Sequence, residues 1–248
     1  DIGMMADYAA VNRLGNTLDA TNLQIFSQIS GGQSALSGGL YVDPKYADDP
    51  KSLDGSAGFM YQEGTVTYYY ASKCIEYLGL DESKQNLINT DSSQTRLALI
   101  QKGGASAVYA NGSEAKYIEE AGWVQVATSQ EIGIQTGSYF LSTDKYISEN
   151  TGTLAKFLQA VDESTQYIND HLDESAEYLA DKLGLKAEDF KENWKNYSFE
   201  PGFSEEATTH LEDIEKWGFE HGSFPKDYNI RDFINTDVAK IAFPDNVT

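Results

Sequence analysis

Side-chain hydroxyls occur together with a predicted helix start in the segment SAGFMYQEGTVTYYY, residues 56–70. Its apolar first half predicts a strand, which leads through Gly64, Thr65 and Thr67 into an aromatic-rich helix. The start of a helix leaves N–H groups unpaired and carries a partial positive charge, which suits an anion or a polar ligand. Gly64 allows a sharp turn and the close approach of a ligand. Thr65 and Thr67 either cap the helix or bind a ligand.

Three more loops place small or polar residues where a predicted strand meets a predicted helix: Ala6–Tyr8, Asp91–Ser93 and Asn111-Gly112. In a parallel α/β sheet, ligands bind beyond the carboxyl ends of the strands, where such loops lie. One loop of this kind is readily explained as an ordinary helix cap. Four such loops in one chain are less easily explained as four independent caps. The predicted ligand-binding residues are Ala6, Asp7, Tyr8, Gly64, Thr65, Thr67, Tyr68, Ser92 and Asn111.

The order of the predicted elements indicates an α/β fold with a helical C-terminal part. Between residues 57 and 128, short strands alternate with helices, which predicts a parallel sheet covered on both faces. Strands are predicted at 1–5, 23–29, 34–42, 57–61, 86–90, 105–110, 123–128 and 137–143. Helices are predicted at 65–78, 92–101, 113–121, 150–171, 174–183, 187–197 and 204–221, with a short one that ends at 14 and another that starts at 232.

The strong negative charge of the chain argues against two classes of partner. The 248 residues include 39 acidic and 18 basic side chains, a formal net charge of −21 that is spread along the sequence. Such a surface repels nucleic acid and anionic membranes, so neither is expected as a partner. It also repels anionic ligands at long range, so an anion site would depend on local dipoles.

Cysteine and histidine usage does not indicate a catalytic or metal site. Cys74 is the single cysteine, so it cannot form an internal disulfide, and its expected role is that of a small buried apolar residue. His171, His210 and His221 lie in the acidic C-terminal third, among charged neighbours typical of solvated helix faces. Neither a catalytic triad nor a metal site nor a cofactor is predicted.

Several segments together resemble a known family. The segments that carry the resemblance are KSLDG (Lys51–Gly55), Gly64-Thr65, Leu78–Leu80, Leu97–Gly103, Ala105–Val108 and Gly122–Ser129. In this order they resemble the second domain of type II periplasmic solute-binding proteins of the NMT1/THI5-like group. The opening DIGMMADYAAVN and the return YFLSTDKYISENTGTLAKFLQAVDESTQYI resemble parts of the first domain, so the resemblance covers nearly the whole chain.

The resemblance implies a two-lobed fold with two hinge crossovers. Lobe I would comprise residues 1–42 and 141–248, and lobe II residues 43–140. Tyr41–Pro44 and Phe140–Thr143 would be the hinge strands. Members of the family begin with a βαβα segment, which implies that lobe I lacks its N-terminal part. We therefore expect an upstream βαβα segment preceded by a secretion or lipoprotein signal, or strands donated by another copy.

The resemblance implies binding rather than catalysis. It predicts the extracytoplasmic solute-binding component of an ABC importer, with a small-molecule ligand and a membrane permease as partners. The alternatives are a same-fold enzyme acting on a small acid or pyrimidine precursor, and a sensory ligand-binding module. The related yeast pyrimidine synthase uses a cysteine-rich motif, which one cysteine cannot supply. Two motifs depart from the family: Gly103–Ala107 lacks an acid, and Tyr109–Gly112 replaces an aromatic-acid-proline loop.

The resemblance leaves two ligand classes open. None of the three arginines lies in the four loops, so a sulfonate, taurine or nitrate would be held by N–H groups and by the hydroxyls of Thr65, Thr67 and Ser92. The rival is an aminopyrimidine of the thiamine-precursor type. Its amino group would pair with Asp7 or Glu63, and its ring would stack on one of several tyrosines, namely Tyr8, Tyr61, Tyr68 or Tyr109.

Overall fold

The computed structural model of the protein describes residues 1–20, 22–32, 38–55, 58–195 and 198–248. The chain folds into two compact units. Unit 1 comprises Asp1–Ala35 together with Thr136–Thr248, and unit 2 comprises Leu36–Gln135. The chain therefore leaves unit 1 once and returns to it once.

Strands and helices alternate along much of the chain, which confirms the predicted α/β class. In chain order they are β1 (Gly3–Ala6), α1 (Asp7–Gly15), β2 (Leu23–Gly32), β3 (Gly38–Val42), β4 (Gly58–Tyr61), α2 (Val66–Tyr77), β5 (Asn86–Asn89), α3 (Ser93–Gln101), β6 (Ala107–Asn111), α4 (Gly112–Glu120), β7 (Val124–Thr128), α5 (Ser129–Ile132), β8 (Thr136–Thr143), α6 (Asp144–Asp170), α7 (Leu172–Leu183), α8 (Ala187–Trp194), β9 (Phe199–Gly202), α9 (Glu205–Glu220) and α10 (Asp237–Ala242). Short 3-10 turns cover Pro44–Tyr46, Pro50–Leu53, Glu82–Lys84, Ile230–Phe233 and Pro244–Asn246.

Unit 1 is built on an antiparallel sheet in the order β1-β8-β2-β9. Phe26 of β2 and Phe140 of β8 pack against α6 through Leu154 and Leu158. These two leucines lie four residues apart and so share one face of the helix. α1 packs against α9 and contacts β8. This packing places the first residues of α1, which are predicted site residues, in the interior of unit 1.

β1 is an exposed edge strand, which corrects the prediction of a buried parallel strand at residues 1–5. It pairs with β8 in the antiparallel direction, and the described residues place no strand on its other side. Met4 is 67% exposed as a result. The apolar run Ile2–Met5 indicated burial, but the side chains of an edge strand are buried only where another element covers them.

Unit 2 is built on a mixed sheet in the order β5-β4-β6-β3-β7. β4 is parallel to both β5 and β6, as the alternation of strands and helices predicts. β3 is antiparallel to β6 and β7. The prediction of a wholly parallel sheet is therefore wrong for this strand. β3 precedes the first α-helix of the unit, and no crossover helix imposes a parallel direction on it.

The boundaries of the units differ from those of the predicted lobes. β3 contains Tyr41 and lies in unit 2, whereas β8 contains Phe140 and lies in unit 1. Pairing of β8 with β2 already begins at Thr136, whose partner is Gly32. Both predicted hinge segments therefore include strand residues paired within one unit. Closure of the two units on a ligand stays a prediction.

Four further differences concern the helices and one unpredicted strand. α6 begins at Asp144 because the hydroxyl of Thr143 caps it, and the predicted start at Asn150 coincides with a non-helical residue inside the helix. β9 was not predicted, since Pro201 within it disfavours a strand. The predicted helix from 232 is a 3-10 turn followed by α10, and the short helix α5 was missed. The predicted strand over 34–42 and the helix over 187–197 both extend partly outside the described residues.

None of the helices in the described ranges combines the length and the apolar character that crossing a membrane requires.

Candidate ligand-binding site

A cavity in unit 2 lies at the carboxyl ends of the parallel strands β4 and β5. Because Tyr61 pairs with Asn89, the loops that follow these strands leave the sheet side by side. Two of the four predicted loops, those at Gly64 and Asp91, therefore meet here. The cavity has a volume of about 590 Å³ and is lined by Gln62, Glu63, Gly64, Asn89, Thr90, Asp91 and Thr95.

The hydroxyls of Thr65 and Thr67 hold the turn that leads into α2. Thr65 is the N-cap, and its Oγ1 accepts a hydrogen bond from the N–H of Thr67 at 3.3 Å. Thr65 Oγ1 donates to the carbonyl of Gln62, and Thr67 Oγ1 accepts from the N–H of Gln62, both at 2.8 Å. Gly64 has a φ of 74°, the left-handed conformation that glycine adopts without strain. Both hydroxyls therefore serve the local fold, and their contact with a ligand stays a prediction.

Ser92 and Asp91 form a second hydrogen-bonded cluster at the start of α3. The Ser92 hydroxyl caps the helix by accepting from the N–H of Thr95 at 3.2 Å. Asp91 Oδ1 accepts from the hydroxyls of Thr95 and Ser92. These two bonds, that of Thr95 first, hold the pKa of Asp91 below its usual value. Asp91 is therefore a carboxylate at neutral pH and gives the cavity wall a negative charge.

Glu63 and Asn89 join the loops that follow β4 and β5. The N–H of Glu63 donates to Asn89 Oδ1 at 3.0 Å, and Asn89 Nδ2 donates to Glu63 Oε2 at 3.2 Å. The ring centroids of Tyr61 and Tyr68 lie 4.6 Å apart. Burial, and then the charge of Glu63, raises the pKa of Tyr61. The cavity therefore has a second carboxylate with an aromatic pair close to it, and none of its lining side chains is basic.

Arg96 is buried, and its charge is neutralised within unit 2. It is 6% exposed, and its Nε and Nη2 donate to the two carboxylate oxygens of Glu114 at 2.6 and 3.1 Å. Its Nη1 donates to Thr90 Oγ1 and its Nη2 to Ser93 Oγ, both at 3.2 Å. These bonds tie the first turns of α3 and α4 to the cavity-lining Thr90. Arg96 thus supports the cavity wall, and its pairing with Glu114 reduces the charge it offers to an anion.

Asn111 lies apart from the cavity lining. It is the N-cap of α4 without a side-chain bond to the helix, and it is exposed. The hydroxyl of Tyr109 lies 3.0 Å from Ser129 Oγ, and its ring lies 4.5 Å from that of Tyr70. Burial raises the pKa of Tyr109 to about 12, while hydrogen bonds with Ser129 and Asn111 act in the opposite direction. Tyr109 is therefore a core residue of unit 2.

The predicted site residues of unit 1 lie at the start of α1. Ala6 is its exposed N-cap, whereas Asp7 and Tyr8 are buried. Asp7 is 2% exposed and accepts three hydrogen bonds, from the N–H groups of Tyr8 and Gly137 and from Nε2 of His210. His210 is buried too, which corrects its expected place on a solvated helix face. Contact of Asp7 with a ligand stays a prediction, and this burial disfavours it.

Sequence reasoning missed part of the cavity lining. Gln62, Asn89 and Thr95 were not among the predicted residues, nor was Arg96 as their support. The signal available was the polar run Asn89–Thr95, which follows the end of a strand without interruption. Within the described ranges, no group of three or more His, Cys, Asp or Glu side chains could hold a metal ion. The amide, hydroxyl and carboxylate groups of the cavity suit a small polar organic molecule.

One family model matches the chain. It is described as NMT1/THI5 like and matches residues 11–175, which is more than half of the sequence. No curated protein matches the chain in sequence.

Several of the solved structures of similar fold are binding proteins. The periplasmic aliphatic sulphonate binding protein SsuA from Escherichia coli has a TM-score of 0.79 at 16% identity, over 95% of this chain and 75% of that chain. The alkanesulfonate-binding protein SsuA from Xanthomonas axonopodis pv. citri, bound to MOPS, has a TM-score of 0.70 at 14% identity, over 95% and 80%. The desulfurization enzyme DSZB has a TM-score of 0.70 at 11% identity, over 98% and 85%. At these identities the likeness shows the fold alone, which is that of periplasmic binding proteins.

Proposed function

Since the chain belongs to the NMT1/THI5-like family, we propose that it is the extracytoplasmic solute-binding component of an ABC importer. The observation that carries this proposal is the cavity at the carboxyl ends of β4 and β5, which lies where α/β folds of this kind bind ligands. Its volume of about 590 Å³ is in the usual range for small-molecule sites. The partners of the protein are then a small-molecule ligand and the membrane permease of the importer.

We further propose that the ligand presents a hydrogen-bond donor, such as the amino group of an aminopyrimidine, rather than a sulfonate or nitrate. Glu63 and Asp91 place two carboxylates in the cavity wall, and no lining residue is basic. Each helix N-terminus stabilises an anion by about 0.3–1 kcal/mol at an exposed site. The carboxylates repel the same anion, so the two effects oppose each other. For an amino group, the carboxylates are favourable partners. Tyr61 and Tyr68 lie outside the lining but close to Glu63, and we expect one of them to stack on the ring of the ligand.

A thermal-shift screen of the whole chain tests both proposals. The probes are taurine and alkane sulfonates on one side and aminopyrimidines on the other. We expect excess aminopyrimidine to raise the Tm by mass action, and sulfonates to leave it unchanged. A rise with sulfonates alone would contradict the ligand class but support a binding protein. No rise with either set would contradict both proposals.

A pair of variants locates the binding in the cavity. Glu63→Gln removes one carboxylate charge from the lining, so we expect it to reduce the Tm shift that aminopyrimidine causes. Glu120→Gln removes an exposed charge at the end of α4, outside the lining, and should leave the shift intact. Equal shifts in the two variants would place the ligand elsewhere.

The alternative is an enzyme of the same fold, which the likeness to DSZB favours. Cys74, the single cysteine, argues against a thiol nucleophile: it is fully buried, and burial raises the pKa of its thiol. Turnover of a sulfinate or a small carboxylic acid by the purified chain would support the enzyme. A neighbouring gene for a histidine kinase or chemoreceptor would support a sensory module, and genes for a permease and an ATPase would support import.

A further inference from the structure

The buried carboxylate of Asp7 joins three parts of unit 1 that are far apart in sequence. Its Oδ1 accepts from the N–H of Tyr8 at 2.6 Å, at the start of α1. Its Oδ2 lies 2.8 Å from His210 Nε2, on α9, and accepts from the N–H of Gly137 at 2.9 Å, in β8. Both oxygens are therefore engaged within unit 1, and the residue is 2% exposed.

Gly137 is the second residue of β8 and lies beside the last described residues of β2. Unit 1 resumes at Thr136, which pairs with Gly32, and Gly137 pairs with Gly31. The strand that leaves unit 1 and the strand that returns to it are thus side by side at these four residues. The N–H of Gly137 donates to the side chain of Asp7 at this place.

This place is packed without room for side chains. A Cβ at Gly137 would lie 2.6 Å from the hydroxyl of Tyr139, and a Cβ at Gly31 would lie 2.8 Å from the carbonyl of Thr136. Tyr139 is itself 1% exposed, so there is little room for its ring to shift. The backbone position of Gly137 is therefore fixed by packing on one side and by Asp7 through a hydrogen bond.

We infer that Asp7 and His210 are positioning residues that anchor the start of β8 beside the end of β2. His210 holds the Asp7 carboxylate, and the carboxylate holds the N–H of Gly137. The two residues thereby limit the opening of this strand pair. The inference rests on the proposed binding function only for its consequence, which is that opening of this strand pair influences how the protein responds to its ligand.

Amide hydrogen exchange in the whole chain, without any ligand, tests the anchor. We expect Asp7→Ala and His210→Phe to speed exchange at Gly137 at least tenfold, while exchange in β3 to β7 of unit 2 is unchanged. His210→Gln keeps an N–H donor near the position of Nε2 and should restore slow exchange. A purely structural role would instead speed exchange throughout unit 1, and His210→Gln would not rescue it.

The control is Arg231→Gln, which removes an exposed ion pair with α9 without touching Asp7. It should leave exchange at Gly137 unchanged. Unchanged exchange at Gly137 in folded His210→Phe would overturn the inference, whether or not Asp7→Ala folds. Because no ligand is present, a failure here is separate from a failure of the ligand screen.

Discussion

Arg96 is the charged residue that ties the candidate site to its supporting helices, so its removal should be costly. Arg96→Ala leaves the carboxylate of Glu114 without its bidentate partner and takes a donor from Thr90 and from Ser93. Breaking a buried ion pair from one side costs about 3 kcal/mol or more. We expect the free energy of unfolding in urea to fall by about this amount.

Arg231 provides a matched control, since it too binds carboxylates through its guanidinium. It contacts Glu205 and Glu212 at an exposed position. Solvent screens such pairs, so Arg231→Ala should lower the free energy of unfolding much less than Arg96→Ala. Equal losses for the two arginines would contradict the role given to burial.

Glu215 should make the stability of the protein depend on pH. Burial, and then the neighbouring Asp227, raises the pKa of its side chain above the ordinary value of 4.5. The folded protein therefore binds this proton more tightly than the unfolded chain does. The resulting stabilisation is complete below the pKa of the unfolded carboxyl and is lost as the pH rises through the folded pKa. We expect Glu215→Gln to match the wild type in Tm near pH 4 and to exceed it near pH 7.

Glu220→Gln, at the exposed end of the same helix, is the control for this effect. Its Tm difference from the wild type should hardly change between pH 4 and pH 7. A Tm difference for Glu215→Gln that stays constant over this range would show that the buried carboxyl does not titrate as argued.

At the scale of elements, two glycines should respond differently to a methyl group. Gly64 has a φ of 74°, but a Cβ at this position would have open space within 4 Å, so Gly64→Ala should cost only backbone strain of about 1–2 kcal/mol. In β8, a Cβ at Gly137 would meet the buried side chain of Tyr139 at 2.6 Å, so Gly137→Ala should cost more. Urea unfolding of the two variants measures the difference, and a larger loss at Gly64 would contradict it.

The alternation of elements was predictable from sequence, because each strand and helix from 58 to 128 has its own apolar pattern and turn. What could not be predicted was the position of β3. Its residues pair with two strands that lie far along the chain, β6 and β7, and only the complete sheet decides its direction. The burial of β1 was misjudged for the same reason, since apolar residues do not reveal whether a neighbouring strand is present.

The candidate site was predictable in its place but not in its partners. Gly64 and Asp91 were expected at a common sheet edge, and the parallel pairing of β4 with β5 brings them there. Arg96 pairs with Glu114, which lies 18 residues away on another helix, and Asp7 pairs with His210, which lies 203 residues away. Such pairs depend on tertiary packing, and local pattern carries no information about them.

At the scale of the whole molecule, the net charge of the chain and the carboxylates of the cavity lining both disfavour anionic ligands. A charge of −21 attracts cations and slows the approach of anions, most strongly at low salt. Glu63 and Asp91 extend that preference to the cavity wall itself. The global and local charges together therefore disfavour the sulfonates and nitrate that are the rivals of the ligand class we propose.

The burial of Cys74 also makes this chain a convenient starting point for fluorescent reporters. It is the single thiol in these 248 residues, it is fully buried, and burial raises its pKa, so maleimide dyes should not reach it in the folded protein. A cysteine introduced at the exposed Tyr117 of unit 2 or Tyr178 of unit 1 would then be labelled alone. Two dyes, one on each unit, could report ligand uptake optically without prior removal of the native thiol.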